Sequence, residues 1–123
     1  MRNTMAGDCF FNVGVLMKSQ GKVGEAVEML ELAISLDEEE HGKNAHKVAE
    51  IYECLAYIHS ENTNFSAAMR SLENSLQIRA NNMAIEGELP IKQEIRDLYD
   101  NIKIHIESGA LQDSLPDMQS KLK

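Results

Sequence analysis

Residues 11–34, "FNVGVLMKSQGKVGEAVEMLELAI", carry the pattern that decides the fold of this chain. Apolar residues recur at helical spacing on both sides of Gly21, which predicts two helices joined by a tight turn. Each predicted helix has a small residue within its apolar stripe, Gly14 in the first and Ala26 in the second. Because a small residue lets a neighbouring helix approach closely, we expect the two helices to pack together with Gly14 facing Ala26.

The helical period continues along the rest of the chain, and no convincing strand alternation accompanies it. Glycines, prolines and polar turns divide the chain into five predicted helices, roughly over residues 3–19, 23–36, 45–60, 65–79 and 90–107. The acidic stretch "DEEEHGKN" at 37–44 is predicted to be a loop, and residues 109–123 are predicted to form a flexible polar tail. The sequence therefore predicts an all-α fold.

The first two predicted helices recur in the next two. The order of aromatic, aliphatic, small and large residues at 10–17 returns at 52–59, and the alanine-rich order at 26–33 returns at 68–75. The offsets between matching positions are equal, since 56 − 14 = 42 and 68 − 26 = 42. Repetition at a fixed period indicates stacked helical units, in which each unit covers the apolar face of its neighbour.

These two segments resemble the tetratricopeptide repeat. The residues that carry the resemblance are Phe10, Val13, Gly14, Met17, Gly21, Ala26, Leu30 and Ala33 in the first segment, and Tyr52, Leu55, Ala56, Phe65, Ala68, Leu72 and Ser75 in the second. The period of 42 residues exceeds the common length of about 34. It is similar to the long repeats of kinesin light chains, whose turn between repeats is matched here by Gly42, Lys43, Asn44, Val48 and Ala49. Two features depart from the pattern: His59 replaces an aromatic or apolar residue, and the usual closing proline is absent.

The resemblance implies an α-solenoid that forms one domain over residues 1–108. Two helical hairpins, at about 7–40 and 49–82, are followed by a capping helix at about 90–107. The last helix matches the repeat poorly, because bulky Tyr99 stands where a small residue belongs. A helix that caps the last repeat needs no partner helix of its own, so Ile95, Leu98 and Ile102 are expected to pack against the fourth helix.

The first helices of such repeats usually line a binding groove, and the resemblance implies one here. The residues expected to line it are Phe11, Val15, Lys18, Glu53, Tyr57 and Glu61. Phe11 and Tyr57 would hold apolar side chains of a partner, while Glu53 and Glu61 would stay hydrated and attract basic ones. Two alternatives stay open. The N-terminal segment covers Phe11, or partners contact the outer faces of the first and last helices, because solenoids generally need about three repeats.

Composition narrows the class of partner. The chain of 123 residues has 20 acidic and 12 basic side chains and a net charge of −8, which disfavours nucleic acid and anionic membrane. Cys9 and Cys54 are too few for a disulfide framework or a structural zinc site, so a reducing compartment is expected, either the cytoplasm or an organelle. No apolar run reaches the length of a membrane span. Protein is therefore the expected partner.

Catalytic motifs are missing from the sequence. Cys54 and His59 lie five residues apart on one predicted helix, about 500° of rotation, so they should face different sides. His41 and His46, beside three glutamates, are more typical of a solvated loop than of a metal site. No cofactor, metal or small-molecule substrate is expected. The predicted function is a non-catalytic protein–protein interaction module, either an adaptor or a small subunit of a larger assembly. The alternative is a dedicated chaperone that shields a segment of one client.

Overall fold

The fold consists of helices packed against one another. A computed structural model describes residues 6–86 and 92–122 of the chain, with side chains over 6–82 and 92–108. It contains helices α1 (Ala6–Ser19), α2 (Val23–His41), α3 (His46–Glu61), α4 (Phe65–Glu86) and α5 (Gln93–Leu122). These described residues include no strand, so the predicted all-α class is confirmed. No helix among them combines the length and the hydropathy needed to cross a membrane.

Helix α2 is longer than predicted. It continues through "DEEEH" to His41 and ends at Gly42, whose φ of 91° lies in the left-handed region that favours glycine. The prediction of a loop that begins at Asp37 is therefore wrong. Asp37 is buried against Gly7 in the first turn of α1, so packing between the two helices holds this acidic turn in a helix.

Helices α4 and α5 also run beyond their predicted ends. Helix α4 passes Arg79, and the Asn82 side chain on its extension donates a hydrogen bond of 2.8 Å to the Asn44 carbonyl in the turn between α2 and α3. Helix α5 passes residue 107 and continues to Leu122. The flexibility expected after residue 108 concerns motion and stays a prediction. Residues 3–5, 90 and 91, which the sequence pattern assigned to helices, lie outside the described residues.

The helices pack as two antiparallel pairs, α1 with α2 and α3 with α4, and α5 lies against α4. A Cβ atom built on Gly14 would lie only 2.9 Å from Leu30 Cγ and 3.3 Å from the Ala26 carbonyl oxygen. The expected close approach at Gly14 is therefore confirmed. The position that follows Gly14 by 42 residues, Ala56, is fully buried as well, and so is Ala68, which follows Ala26 by the same interval.

Helix α5 covers the second pair of helices. Ile95, Leu98 and Ile102 are buried in a core cluster with residues of α3 and α4, as predicted. The ring of His105 stacks on Phe65, with the two ring centroids 4.4 Å apart. The first pair packs against α3 on one side, through a core cluster that includes Leu30 and residues of α3. No described element covers the opposite side of α1 and α2.

Candidate functional site

Two of the three predicted groove residues of α1, Phe11 and Lys18, contact side chains of α3. Phe11 is half-buried, and the Lys47 ammonium group lies 4.4 Å from the centroid of its ring. The same ammonium group is 3.5 Å from an Asp8 carboxylate oxygen. Lys47 therefore ties α3 to α1 and covers Phe11, while Val15 stays 40% exposed.

Lys18 and Glu61 also join α1 to α3. Their charged groups lie 3.2 Å apart, and both side chains are well exposed to solvent. An exposed pair of this kind contributes about 0–1 kcal/mol to stability. The two charges thus neutralise each other at the surface where a partner's basic group was expected.

Among the predicted groove residues, Glu53 differs most from its expected environment. It is only 7% exposed, and its carboxylate accepts hydrogen bonds of 2.6 and 2.9 Å from the Arg79 guanidinium. It also accepts a hydrogen bond from the Ser75 hydroxyl. The hydrogen bond to Glu53 raises the pKa of Arg79. The expectation that Glu53 stays hydrated is therefore wrong, because α4 brings a matching cation and hydroxyl onto it.

Tyr57 is half-buried where α3 meets α5. Its hydroxyl donates a hydrogen bond of 3.4 Å to the Glu94 carbonyl, and its ring packs against the cluster that contains Ile95. Burial raises the pKa of Tyr57, and the nearby Glu94 adds to this effect. Three of the six predicted groove residues form ion pairs within the described part of the chain: Lys18 and Glu61 with each other, and Glu53 with Arg79. Whether these six residues bind a partner stays a prediction.

A different surface of α1 carries exposed apolar side chains. Val13 is 38% exposed and Leu16 is 55% exposed. Since Phe11 and Lys18 face α3, steps of about 100° per residue place Val13 and Leu16 on the opposite side of the helix. The sequence pattern pointed to the outer faces of the terminal helices but did not single out these residues.

Helix α2 also carries apolar side chains on its side away from α3 and α4. Ile34 and Glu38 face α3 and α4 across a cleft, so the helical rotation turns Met29, Leu32 and Leu36 to the other side. Leu32 is 45% exposed, and the other two are partly buried. We name the surface of α1 and α2 that faces away from α3 the outer face; it comprises Val13, Leu16, Met29, Leu32 and Leu36. Exposed apolar side chains on one side of a helical pair are a candidate site of contact in soluble proteins.

A cleft of about 490 Å³ lies between α2 and α4, with α3 as its floor. We name it the α2–α4 cleft. It is lined by Glu31, Ile34, Ser35 and Glu38 of α2, by Tyr52, Leu55 and His59 of α3, and by Ala67, Arg70, Ser71 and Asn74 of α4. Acidic groups thus stand on one wall, and a guanidinium and an amide stand on the other. The sequence pattern had no signal for this cleft, because its residues come from three helices.

Burial and neighbouring charges shift the pKa values of the two ring side chains on the floor of the cleft. Burial lowers the pKa of His59, and Arg70 acts in the same direction while Glu31 opposes it. Burial also raises the pKa of Tyr52, and the carboxylates of Glu38 and Glu31 add to that effect. Burial therefore favours the neutral forms of both rings.

Cys54 and His59, the pair considered in the sequence as a possible catalytic pair, do not come together. Cys54 packs against the first core cluster while His59 lines the cleft, so these two residues face different sides as expected. Burial raises the pKa of the Cys54 thiol, the reverse of what a reactive nucleophile requires. No group of three or more His, Cys, Asp or Glu side chains in the described region is placed to hold a metal ion.

No protein-family model matches the chain, and no curated protein matches it significantly. The function is therefore argued from the surfaces of the molecule.

Proposed function

We propose that this chain is a non-catalytic protein–protein interaction module of the tetratricopeptide type, an adaptor or a small subunit of a larger assembly. The observation that carries the proposal is the outer face, where Val13, Leu16 and Leu32 are exposed on the side away from α3. In a stack of helical pairs, the end that no element covers is the place where another chain or another repeat packs.

The match between the two helical pairs supports this type of fold. Leu30 and Leu72 are both fully buried and lie 72 − 30 = 42 residues apart, as do the close-packing positions Gly14 and Ala56. Each pair therefore uses the same positions to hold its helices together. A second pair capped by α5 and a first pair without a described cap give the stack one closed end and one open end.

The energetics indicate an interface that extends beyond three side chains. Full burial of a large aliphatic side chain is worth about 1.5–3 kcal/mol. Covering three that are already half-buried offsets only part of an association cost of roughly 4–15 kcal/mol. Partly buried Met29 and Leu36 enlarge the apolar area, and the rim of the outer face supplies the polar contacts.

Purification of the tagged chain from its native cells under mild conditions tests the proposal. A partner protein should co-purify in a fixed ratio and should exchange slowly with labelled free chain. Fast exchange and a large free pool would favour the alternative function, a chaperone that shields a client segment. A chain that runs alone at every ionic strength, with no protein in a fixed ratio, would contradict both functions.

The predicted groove remains a second proposed contact surface, with Phe11, Val15 and Lys18 of α1 and Tyr57 and Glu61 of α3. Glu53 is buried against Arg79 and offers no accessible charge there. Val15 is the apolar side chain of this set that is open to solvent. Phe11 and Tyr57 already contact the chain itself, so replacing them would test folding together with binding. A charge at Val15 is the cleaner probe of this surface.

A further inference from the structure

The α2–α4 cleft extends beyond the hollow described above. A second hollow of about 270 Å³ continues it toward the turn between α2 and α3, and Glu38, Tyr52 and Asn74 line both parts. The side chains that line only the second part include Lys43, Asn44, Gln77 and Asn81. The two hollows form one elongated groove along the axis of α2, which suits an extended chain better than a compact small molecule.

The α2 wall of this groove is strongly acidic. Helix α2 contains six glutamates and no lysine or arginine. Glu31 and Glu38 are the two that line the larger hollow of the cleft, and neither forms an ion pair with any described residue. They are separated by seven residues, two turns of helix, which corresponds to about 10 Å.

The α4 wall offers groups that match a peptide backbone. Asn74 lines both parts of the groove, and its side-chain amide has no hydrogen bond to the described residues. An amide side chain has both a donor and an acceptor, as a peptide group does. Arg70, one turn before Asn74, adds donors for a carbonyl oxygen.

We propose that the α2–α4 cleft binds an extended segment of a partner protein, with two lysine or arginine side chains three residues apart on Glu31 and Glu38 and its backbone on Asn74. An extended chain in the polyproline II conformation has three residues per turn and rises about 3.1 Å per residue, so side chains three residues apart lie on the same side, about 9 Å apart. This distance is close to the helical rise of about 10 Å that separates Glu31 from Glu38 along α2. The inference rests on the proposed function, because it defines the chemistry of a second contact with a protein partner.

A short synthetic peptide tests this directly. The probe is a capped six-residue peptide of glycine and serine with two lysines three residues apart, titrated into isotope-labelled protein at low salt. Backbone amide signals of Ser35, Tyr52 and Asn74 should shift together along one binding curve. The same peptide with glutamate in place of lysine should cause no shift. Shifts scattered over the acidic surface, or none at all, would overturn the proposal.

A matched pair of variants separates this site from general attraction to an acidic protein. Glu31→Gln with Glu38→Gln should weaken peptide binding about tenfold, since two partly shielded ion pairs are lost. Glu25→Gln with Glu28→Gln removes the same charge from the same helix outside the cleft and should leave binding within about twofold. Equal losses in the two variants would mean diffuse attraction and would overturn the proposal.

The outcome is separable from the proposed function. If the native partner co-purifies but the peptide does not bind, the inference about the cleft fails and the interaction module stands. If the peptide binds in the cleft but no protein co-purifies in a fixed ratio, the inference stands and the assembly role fails.

Discussion

At the scale of single residues, the way the helices meet depends on a few small and charged side chains. Gly14 has no Cβ atom, which leaves room for the Leu30 side chain. The Glu53 carboxylate is paired with the Arg79 guanidinium of α4. Asp37 is buried, and its Oδ2 atom has no hydrogen-bond partner among the described residues. Each of these residues leads to a separate prediction.

Gly14→Leu should lower the free energy of unfolding by about 1–3 kcal/mol, because the new side chain overpacks the contact with Leu30 and Ala26. Gly24 is the matched control, since a Cβ built there meets no atom within 4 Å. Gly24→Leu should leave stability unchanged or raise it slightly, because leucine is the better helix former. Urea denaturation of the two variants makes the comparison, and equal midpoints would show that α1 does not pack closely on α2.

Arg79→Ala should lower the free energy of unfolding by about 3 kcal/mol, because it leaves the buried Glu53 carboxylate without its cation. Glu53→Gln together with Arg79→Gln should cost less than the single change, since no unpaired charge remains. A double-mutant cycle in urea, made of Glu53→Gln, Arg79→Gln and the double variant, measures the coupling energy between the two side chains. A coupling energy near zero would mean that the Glu53–Arg79 pair is not formed in solution.

Asp37→Asn should stabilise the protein at neutral pH, because the neutral amide avoids the cost of holding a negative charge in this buried position. Burial raises the pKa of Asp37 and Asp8 adds to this, while His41 and Lys47 oppose it. A carboxyl group whose folded pKa is raised favours the folded state below its unfolded pKa, and this benefit is lost as pH rises through the folded pKa. The advantage of the asparagine variant should therefore grow with rising pH across that interval in thermal scans. A difference that does not change with pH would contradict it.

The sequence predicted the packing contacts of the small residues well and the burial of the charged residues poorly. Gly14 and Ala26 stand within an apolar period, so their contact can be read from local spacing alone. The burial of Glu53 depends on Arg79, which is 26 residues away on another helix. The one available signal was Ser75, a hydroxyl at the place that Ala33 holds in the first pair of helices.

At the scale of elements, α5 acts as the cover of the second helical pair. Ile102→Ala should cost about 2–5 kcal/mol, because the side chain is fully buried and its loss leaves a cavity. Ile104→Ala, two residues away on the same helix, removes a side chain that is 60% exposed and should change stability by less than about 0.5 kcal/mol. Thermal unfolding of both variants is the measurement. Equal effects would mean that α5 does not dock on α4 in solution.

Helix boundaries were the weakest part of the sequence prediction, and α2 illustrates why. The residues of "DEEEH" look like a solvated loop when only composition is considered. In the structure, Asp37 completes the buried stripe of α2 beside Gly7, and the helix ends only at Gly42. Packing against another helix outweighs local charge there, and no local pattern records it.

At the scale of the whole molecule, α5 covers the second pair of helices, and no described element covers the outer face. The sequence predicted five helices and the packing of the last one, because both follow from apolar periodicity. It pointed to the outer side of the first helix as a candidate contact surface but did not identify the residues of the outer face. It did not predict the α2–α4 cleft, because the residues of the cleft come from separate helices that only the tertiary structure brings side by side.

The affinity of the purified native partner for variants of each surface tests the central claim most directly. Calorimetry should compare the parent chain with Leu16→Glu plus Leu32→Glu on the outer face, and with Val15→Glu in the predicted groove. The control is Ser66→Glu plus Asn101→Glu, two exposed positions on α4 and α5. Unchanged thermal midpoints should first establish that all variants fold.

The account predicts that the outer-face variant raises Kd at least about 100-fold, since two central apolar contacts are lost. The control should stay within about twofold of the parent chain. A folded outer-face variant that binds as tightly as the parent, while Val15→Glu abolishes binding, would contradict the account and place the partner in the groove between α1 and α3.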